Sequence, residues 1–342
     1  MLGDRVRHAR TYHGWTQGKL AELVGVSQPA ISQIEKGGPA ADDTIARIAS
    51  ATQFTPSFFT RGPLPDLPTG SLQWRKRASA RVRDDDRVRA HVRQTLELLA
   101  DLERVADGPP VRVRPVSQTR LVTGDVIESI ANEAREWLGC GPLDPIPNLM
   151  RAVERAGVAV IGSSQEIEKH DGASYWPNFP SGRPIIVITR GLPGDRERLS
   201  VGHELGHLVL HTVRHVEEHK EAEGEAFRFA GALLLPEEAA LEAIEEPVTL
   251  RQLAMVKARF GIAISALVRR CLDLGIIDPD RRLSLEKQIS ARGWRRDEPV
   301  HVPNERPQLV RDFVATVTGT TRPGHLHERF GLPALAIRDL IA

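Results

Sequence analysis

The histidine pair His203 and His207 and the glutamate Glu204 lie within the otherwise apolar run "VGHELGHLVLH", which a third histidine, His211, closes. On an α-helix, residues four apart share a face, so the two imidazoles point the same way and lie close enough to grip one ion. Imidazole nitrogens bind Zn2+ at about 2.0–2.1 Å, and hydrolytic zinc keeps three protein ligands with water in the fourth position. Glu204, one step around the helix from His203, can reach that water without occupying the metal. Zinc lowers the water's pKa to about 7, a carboxylate takes the proton, and the resulting hydroxide attacks a carbonyl that the metal polarises. These residue types at this spacing predict metal-assisted hydrolysis, with His203 and His207 as ligands and Glu204 as general base. Zinc is the expected ion, with manganese as the alternative.

A third ligand must come from elsewhere, and the following stretch offers Glu217, Glu218, Glu221, Glu223 and Glu225. Glu225 falls in register with Phe229, Ala232 and Leu233 on the apolar side of the next helical pattern, where an unpaired carboxylate would be costly and a metal would remove the cost. It is the expected ligand, Glu221 the second choice, and the other three are expected in solvent. A third histidine six residues after His207, as in one class of zinc peptidases, is excluded because that position is Val213. His211, four beyond His207, is expected to support or pack against the ligands, and His215 and His219 to lie exposed past the helix.

The elements that must hold these residues are legible as patterns. "RPIIVIT" is a β-branched run suited to a buried strand, and "VAVIG" reads as another. "GLPGDRERLSVGHELGHLVLHT" then starts the histidine helix, with Asp195 as the expected N-cap. "EAEGEAFRFAGALLL" is a second helix stopping at Pro236, and Gly261 separates two more. Further upstream, Val88, Val92, Leu96, Leu99 and Leu102 recur at helical spacing in a connecting helix whose charges are expected in solvent.

Length and composition fit this picture. A chain of 342 residues with 41% hydrophobic and 27% charged residues accommodates two or three globular units. Four segments are expected: globular domains at 1–66 and 120–300, a basic helical linker at 67–119 and a helical tail at 301–342. The two cysteines, Cys140 and Cys271, lack metal-site or disulfide-framework spacing and are expected to be buried thiols. With no signal-peptide pattern and no long apolar run, the expected location is the cytoplasm, without membrane contact. The formal net charge of +1 hides an asymmetry: residues 1–120 hold 19 Lys and Arg against 13 Asp and Glu. A basic N-terminal third suits a polyanion, because Lys and Arg neutralise phosphates and release counterions.

Taken together, "DGASYW", "RPIIVIT", "DRERLSVGHELGHLVLH", "GEAFRFAGALLLP" and "LVRRCLDLGII" resemble the ImmA/IrrE family of metallopeptidases over residues 120–300. The resemblance implies an α+β, mainly helical, zincin-like domain with a small sheet. It also implies Glu204 as general acid/base and Glu225 as glutamate ligand in the family's "EAxxFA" motif. Family members cleave helix-turn-helix repressors after a stress or mobile-element signal, so a repressor is the expected substrate. Asp171, Arg196 and Arg198 fall in family motifs with structural roles expected, and Asp171 and Tyr175, like His211, are expected behind the ligands.

In "WTQGKLAELVGVSQPAISQIEKG", Leu20, Ala21, Leu23 and Val24 form one short helix, Gly25 breaks it, and a second restarts after Ser27 as N-cap. This portion resembles the XRE-type DNA-binding domains, which implies a helix-turn-helix bundle placing its second helix in the major groove of double-stranded DNA. Gln28, Ser32 and Gln33 are the outward polar residues suited to base edges, with Ser27 beside them, and Gln17 and Lys36 suit phosphates. Such domains imply a homodimer on paired half-sites. The chain therefore reads as a DNA-binding regulator with a zinc-dependent endopeptidase domain. The alternative is a non-enzymatic repressor or antitoxin-like autorepressor whose zincin-like domain senses a ligand or partner.

Overall fold

The computed structural model describes residues 1–67, 73–74, 82–117, 122–163, 172–214, 216 and 218–341. Five helices open the chain: α1 (Leu2–Tyr12), α2 (Gln17–Val24), α3 (Gln28–Glu35), α4 (Asp42–Thr52) and α5 (Pro56–Thr60). The oxygens of Thr16 and Ser27 cap α2 and α3 by accepting from the amides of Lys19 and Ala30, at 3.0 and 3.3 Å. Gly25, in the left-handed region at φ 71°, ends α2 and turns the chain into α3. Val6, Leu20, Ile31, Ile48 and Phe58 fill the space between them.

The connecting helix α6 (Val82–Glu103) buries Val88, Val92, Leu96, Leu99 and Leu102, as their spacing predicts. Its charges differ from expectation. Glu97 pairs with buried Arg5 at 2.6 Å, Arg93 with Asp4 at 2.9 Å, and Asp101 with Arg61. The helix is thereby fastened onto the N-terminal bundle rather than spanning solvent.

After β1 (Gln73–Trp74) and α6 come α7 (Gly124–Trp137), α8 (Leu149–Arg155), β2 (Ala159–Ser163), β3 (Gly172–Tyr175) and β4 (Ile185–Thr189). Five helices follow: α9 (Gly194–His211), α10 (His219–Leu234), α11 (Glu237–Ala243), α12 (Leu250–Phe260) and α13 (Ile264–Asp273). The last four are α14 (Pro279–Ala291), α15 (Leu309–Thr318), α16 (Pro323–Phe330) and α17 (Ala334–Ile341). The architecture is the expected α+β, mainly helical one.

The sheet order is β1-β3-β4-β2, with β2 parallel to β4 and β3 antiparallel to both neighbours. Side chains alternate across it, so each face serves a different core. Val160, Ile186 and Ile188 join α7–α13, whereas Ala159, Ile161, Ala173, Ile185 and Val187 join α1–α6 and α15–α17. The C-terminal helices are therefore part of the N-terminal core: Thr55 donates its amide to Gly331 O at 3.1 Å and Arg61 reaches Phe330 O at 3.0 Å.

Two carboxylates fasten the approach to α15. Glu154 accepts the Gln308 and Leu309 amides at 2.8 Å, and Glu305 accepts the Met150 amide at 2.7 Å and pairs with Arg198. The histidine helix starts at Gly194, so Asp195 lies in its first turn rather than capping it, and its carboxylate meets Lys257 at 2.6 Å. Cys271 is buried and Cys140 only half-buried; both are free, and burial pushes the Cys271 thiol up to about 11. Among the described residues, no helix is long and apolar enough to cross a membrane.

Candidate metal centre

Helix α9 runs antiparallel to α10 at unusually short range, with Gly206 against Ala226 and Gly202 against Ala230. A Cβ built on Gly206 would lie 3.1 Å from the Ala226 Cα and carbonyl and from a Phe229 ring carbon, and one on Gly202 3.3 Å from the Ala230 Cβ. Small residues at i and i+4 on both helices let the backbones approach. That approach brings a carboxylate of α10 to the histidines of α9.

The carboxylate is Glu223. His203 Nε2 and His207 Nε2 lie 3.1 Å apart, Glu223 Oε2 is 3.5 Å from the first, and its Oε1 is 3.3 Å from the second. Four ligands at about 2.05 Å around tetrahedral zinc stand about 3.3 Å from one another. The two imidazole nitrogens stand close to that edge length, each is approached by a different oxygen of the one carboxylate, and one ligand atom from each of the three residues lies within 4.8 Å of the others; two imidazoles with one carboxylate are an ordinary hydrolytic zinc donor set. The residues fit the ion. Among the described residues, His203, His207 and Glu223 are the metal-capable group of three. Burial raises the Glu223 carboxyl, but hydrogen bonds and charge from the two imidazoles outweigh it and hold the group well below the ordinary carboxylate range.

Glu225, the expected ligand, is not in this group. Two residues along a helix turn the side chain through about 200°, so Glu223 and Glu225 leave α10 on different sides. Glu225 is buried, as its apolar register predicts, but what compensates its charge is Arg214, together with His211 Nε2 at 2.9 Å. Glu221 is exposed, whereas Glu223, expected in solvent, is mostly covered.

His211 meets His207 on its Nδ1 side. Its Nδ1 lies 2.9 Å from His207 Nδ1, giving a chain from His207 through His211 to Glu225 that fixes the ring presenting Nε2 to the cluster. Burial lowers the His211 pKa, the Glu225 hydrogen bond partly opposing it.

Glu204 is 1% exposed and accepts a hydrogen bond from Ser174 Oγ of β3 at 2.8 Å. Gly172, two residues earlier on the same face of that strand, leaves room for it: a Cβ there would lie 3.0 Å from the Glu204 Cγ and Oε1. Ser174 had no signal in the sequence beyond its place in "DGASYW". Tyr175 is a correction to the expectation: alternation along β3 sends it to the other sheet face, against the N-terminal core. Asp171, His215 and Glu217 lie outside the described residues. His219 is exposed, with its Nε2 3.9 Å from Glu223.

The close contact of α9 and α10 yields an expected result. Gly206→Val should cost about 1–3 kcal/mol through overpacking and weaken zinc binding at least tenfold as Glu223 recedes. Thermal unfolding and chelator competition on one preparation check both.

At the N-terminus, Gln28 and Gln33 are exposed on α3, Lys36 is exposed just past it, and Ser32 is half-buried. Gln28 donates to Gln17 Oε1 at 2.8 Å, and Gln17 donates to Glu35 Oε2 at 2.9 Å. Buried Glu35 is itself gripped by Arg10 at 2.6 Å. The polar start of α3 is thus anchored to α1 and α2.

Residues 153–272 match the family model described as the IrrE N-terminal-like domain, and residues 6–59 match a helix-turn-helix model. The chain joins these two domain types. No curated protein matches it. The IrrE-like domain is metallopeptidase-like and contains α9 and α10, which bring His203, His207 and Glu223 together, and β3, which carries Ser174, while the helix-turn-helix match covers α2 and α3.

Proposed function

We propose that the chain is a DNA-binding regulator whose IrrE-like domain is a zinc-dependent endopeptidase acting on a helix-turn-helix repressor. The observation that carries this reading is the convergence of His203, His207 and Glu223 on one another, with a further carboxylate, Glu204, following His203 on the same helix and outside that group of three. Bound zinc supplies Lewis acidity for a carbonyl and acidifies water. Ser174 orients the Glu204 carboxylate, which takes a proton from the attacking water and returns it to the departing amine. Phe227, with its ring 4.3 Å from that of His203, limits water on the α10 side.

Purified protein with zinc should cut a helix-turn-helix repressor at one bond, stop when a chelator is added and resume when zinc returns. Intact repressors under every zinc condition would contradict the reading. The deep burial of Glu204 favours a second one, in which the centre holds zinc for shape and the chain regulates without cutting.

The DNA-reading half is carried by Gln28, Ser32 and Gln33 at base edges, with Ser27, Gln17 and Lys36 toward the backbone, in a homodimer on paired half-sites. Gln33→Ala should lower operator affinity by about 1–3 kcal/mol and relax specificity at one base pair. Lys36→Ala should instead weaken all sequences alike and reduce the salt slope by about one. Titration of labelled operators over a salt series distinguishes the two.

A further inference from the structure

A cavity of about 410 Å3 opens between the first turns of α9, the middle of α10 and α13. Leu199, Phe227, Ile262 and Ala266 give it apolar walls, and Arg196, Arg269 and Asp273 also line it. Its size falls in the range of about 300–1,000 Å3 usual for ligand pockets. Gly231 contributes to the lining from inside α10, where glycine costs the helix about 1 kcal/mol relative to alanine. A Cβ there would lie 3.3 Å from the Arg270 Cδ, so the glycine leaves room for that side chain in the cavity wall.

Two features tie the cavity to the centre. Phe227 faces both, since its ring lies 4.3 Å from that of His203. Ser200, also in the lining, precedes His203 by three residues on α9, about 4.5 Å along the axis. An extended polypeptide advances about 3.3 Å per residue. With one peptide bond at the three ligands, the side chain one or two residues away falls at the cavity.

The charges select further. Arg270 is engaged by buried Glu128, with Nη2 2.7 Å from Oε2. Arg269 meets Asp273 at 3.3 Å while its side chain stays 50% exposed, and Arg196 donates to a neutral acceptor, the Arg295 carbonyl, at 2.6 Å. Arg196 and Arg269 face a single carboxylate, so the mouth is positive in excess.

We propose that this cavity selects the substrate: it takes a large apolar side chain one or two residues from the cleaved bond, with an acidic residue next to it. The assignment rests on the endopeptidase reading. N-dansyl-phenylalanine, an apolar body carrying one carboxylate, is the probe for fluorescence titration, with its carboxamide as the uncharged control. The expected result is saturable binding to the zinc-loaded protein, weakened at least tenfold by Ala266→Trp at unchanged zinc content. Ser265→Phe fills the cavity from an exposed lining position and gives the same readout if the tryptophan variant fails to fold. Arg269→Ala should weaken the acid several-fold more than the carboxamide.

In a peptide-library digest, Ala266→Trp should shift the preference from large to small apolar residues at that position. Probe binding indifferent to both filling variants, or hydrolysis with unchanged preferences, overturns the assignment of the cavity alone. A protein that binds the probe but hydrolyses no peptide removes the endopeptidase reading, and the role in substrate selection with it.

Discussion

If the chain is the proposed endopeptidase, Glu204→Gln should keep its full complement of zinc and cut a repressor substrate about 10²- to 10⁴-fold more slowly, the usual worth of a positioned general acid/base. The substitution is nearly isosteric, and the amide oxygen still accepts from Ser174 Oγ, so the buried surroundings persist. What is lost is the ability to hold a proton. Metal content by mass spectrometry and single-turnover cleavage on the same sample provide the two readouts. Loss of zinc together with activity would make Glu204 a ligand, and cleavage within threefold of the native rate would remove it from the chemistry. Regulation in cells that survives the variant unchanged would favour the non-enzymatic reading.

The second large effect is on stability. Arg270 is 2% exposed, and its guanidinium is held by both Glu128 oxygens, at 2.5 and 2.7 Å, while its Nε donates to Leu235 O at 3.0 Å. This pair fastens α7, the end of α10 and α13 behind the metal helices. Glu128→Ala leaves a buried cation without its partner, a change that costs about 3–5 kcal/mol. Replacing both, as Glu128→Met with Arg270→Met, should recover part of that loss, because the fully buried cation is gone and only Arg228, 3.7 Å from Glu128 and partly exposed, is left without this partner. Urea unfolding of the single and double variants measures it. A single variant within about 1 kcal/mol of the native protein would mean that the pair is hydrated in solution.

How much of this was legible in the sequence follows from how local each relationship is. The histidine pair and Glu204 were readable because one helix fixes their spacing, and the α6 stripe and the β2 and β4 strands were readable for the same reason. Glu223 was not. Register on α10 correctly placed Glu225 inside, but inside is not the same as at the metal. Which inward carboxylate reaches His203 depends on how α9 and α10 meet at Gly202 and Gly206, and on Arg214 being there to satisfy Glu225. Strand β3 was missed because "GASY" is short and built of small residues, yet those small residues accommodate Glu204. The merging of α15–α17 into the N-terminal core is a contact between the two ends of the chain, and no periodicity reports it.

Zinc affinity by competitive chelator titration distinguishes Glu223 from Glu225 as the third ligand. Glu223→Ala should lose at least 100-fold in affinity. Glu225→Ala, which acts on His207 only through His211, should still bind one equivalent with at most about a tenfold loss. Retention of native affinity by Glu223→Ala alongside loss by Glu225→Ala would contradict the centre described above.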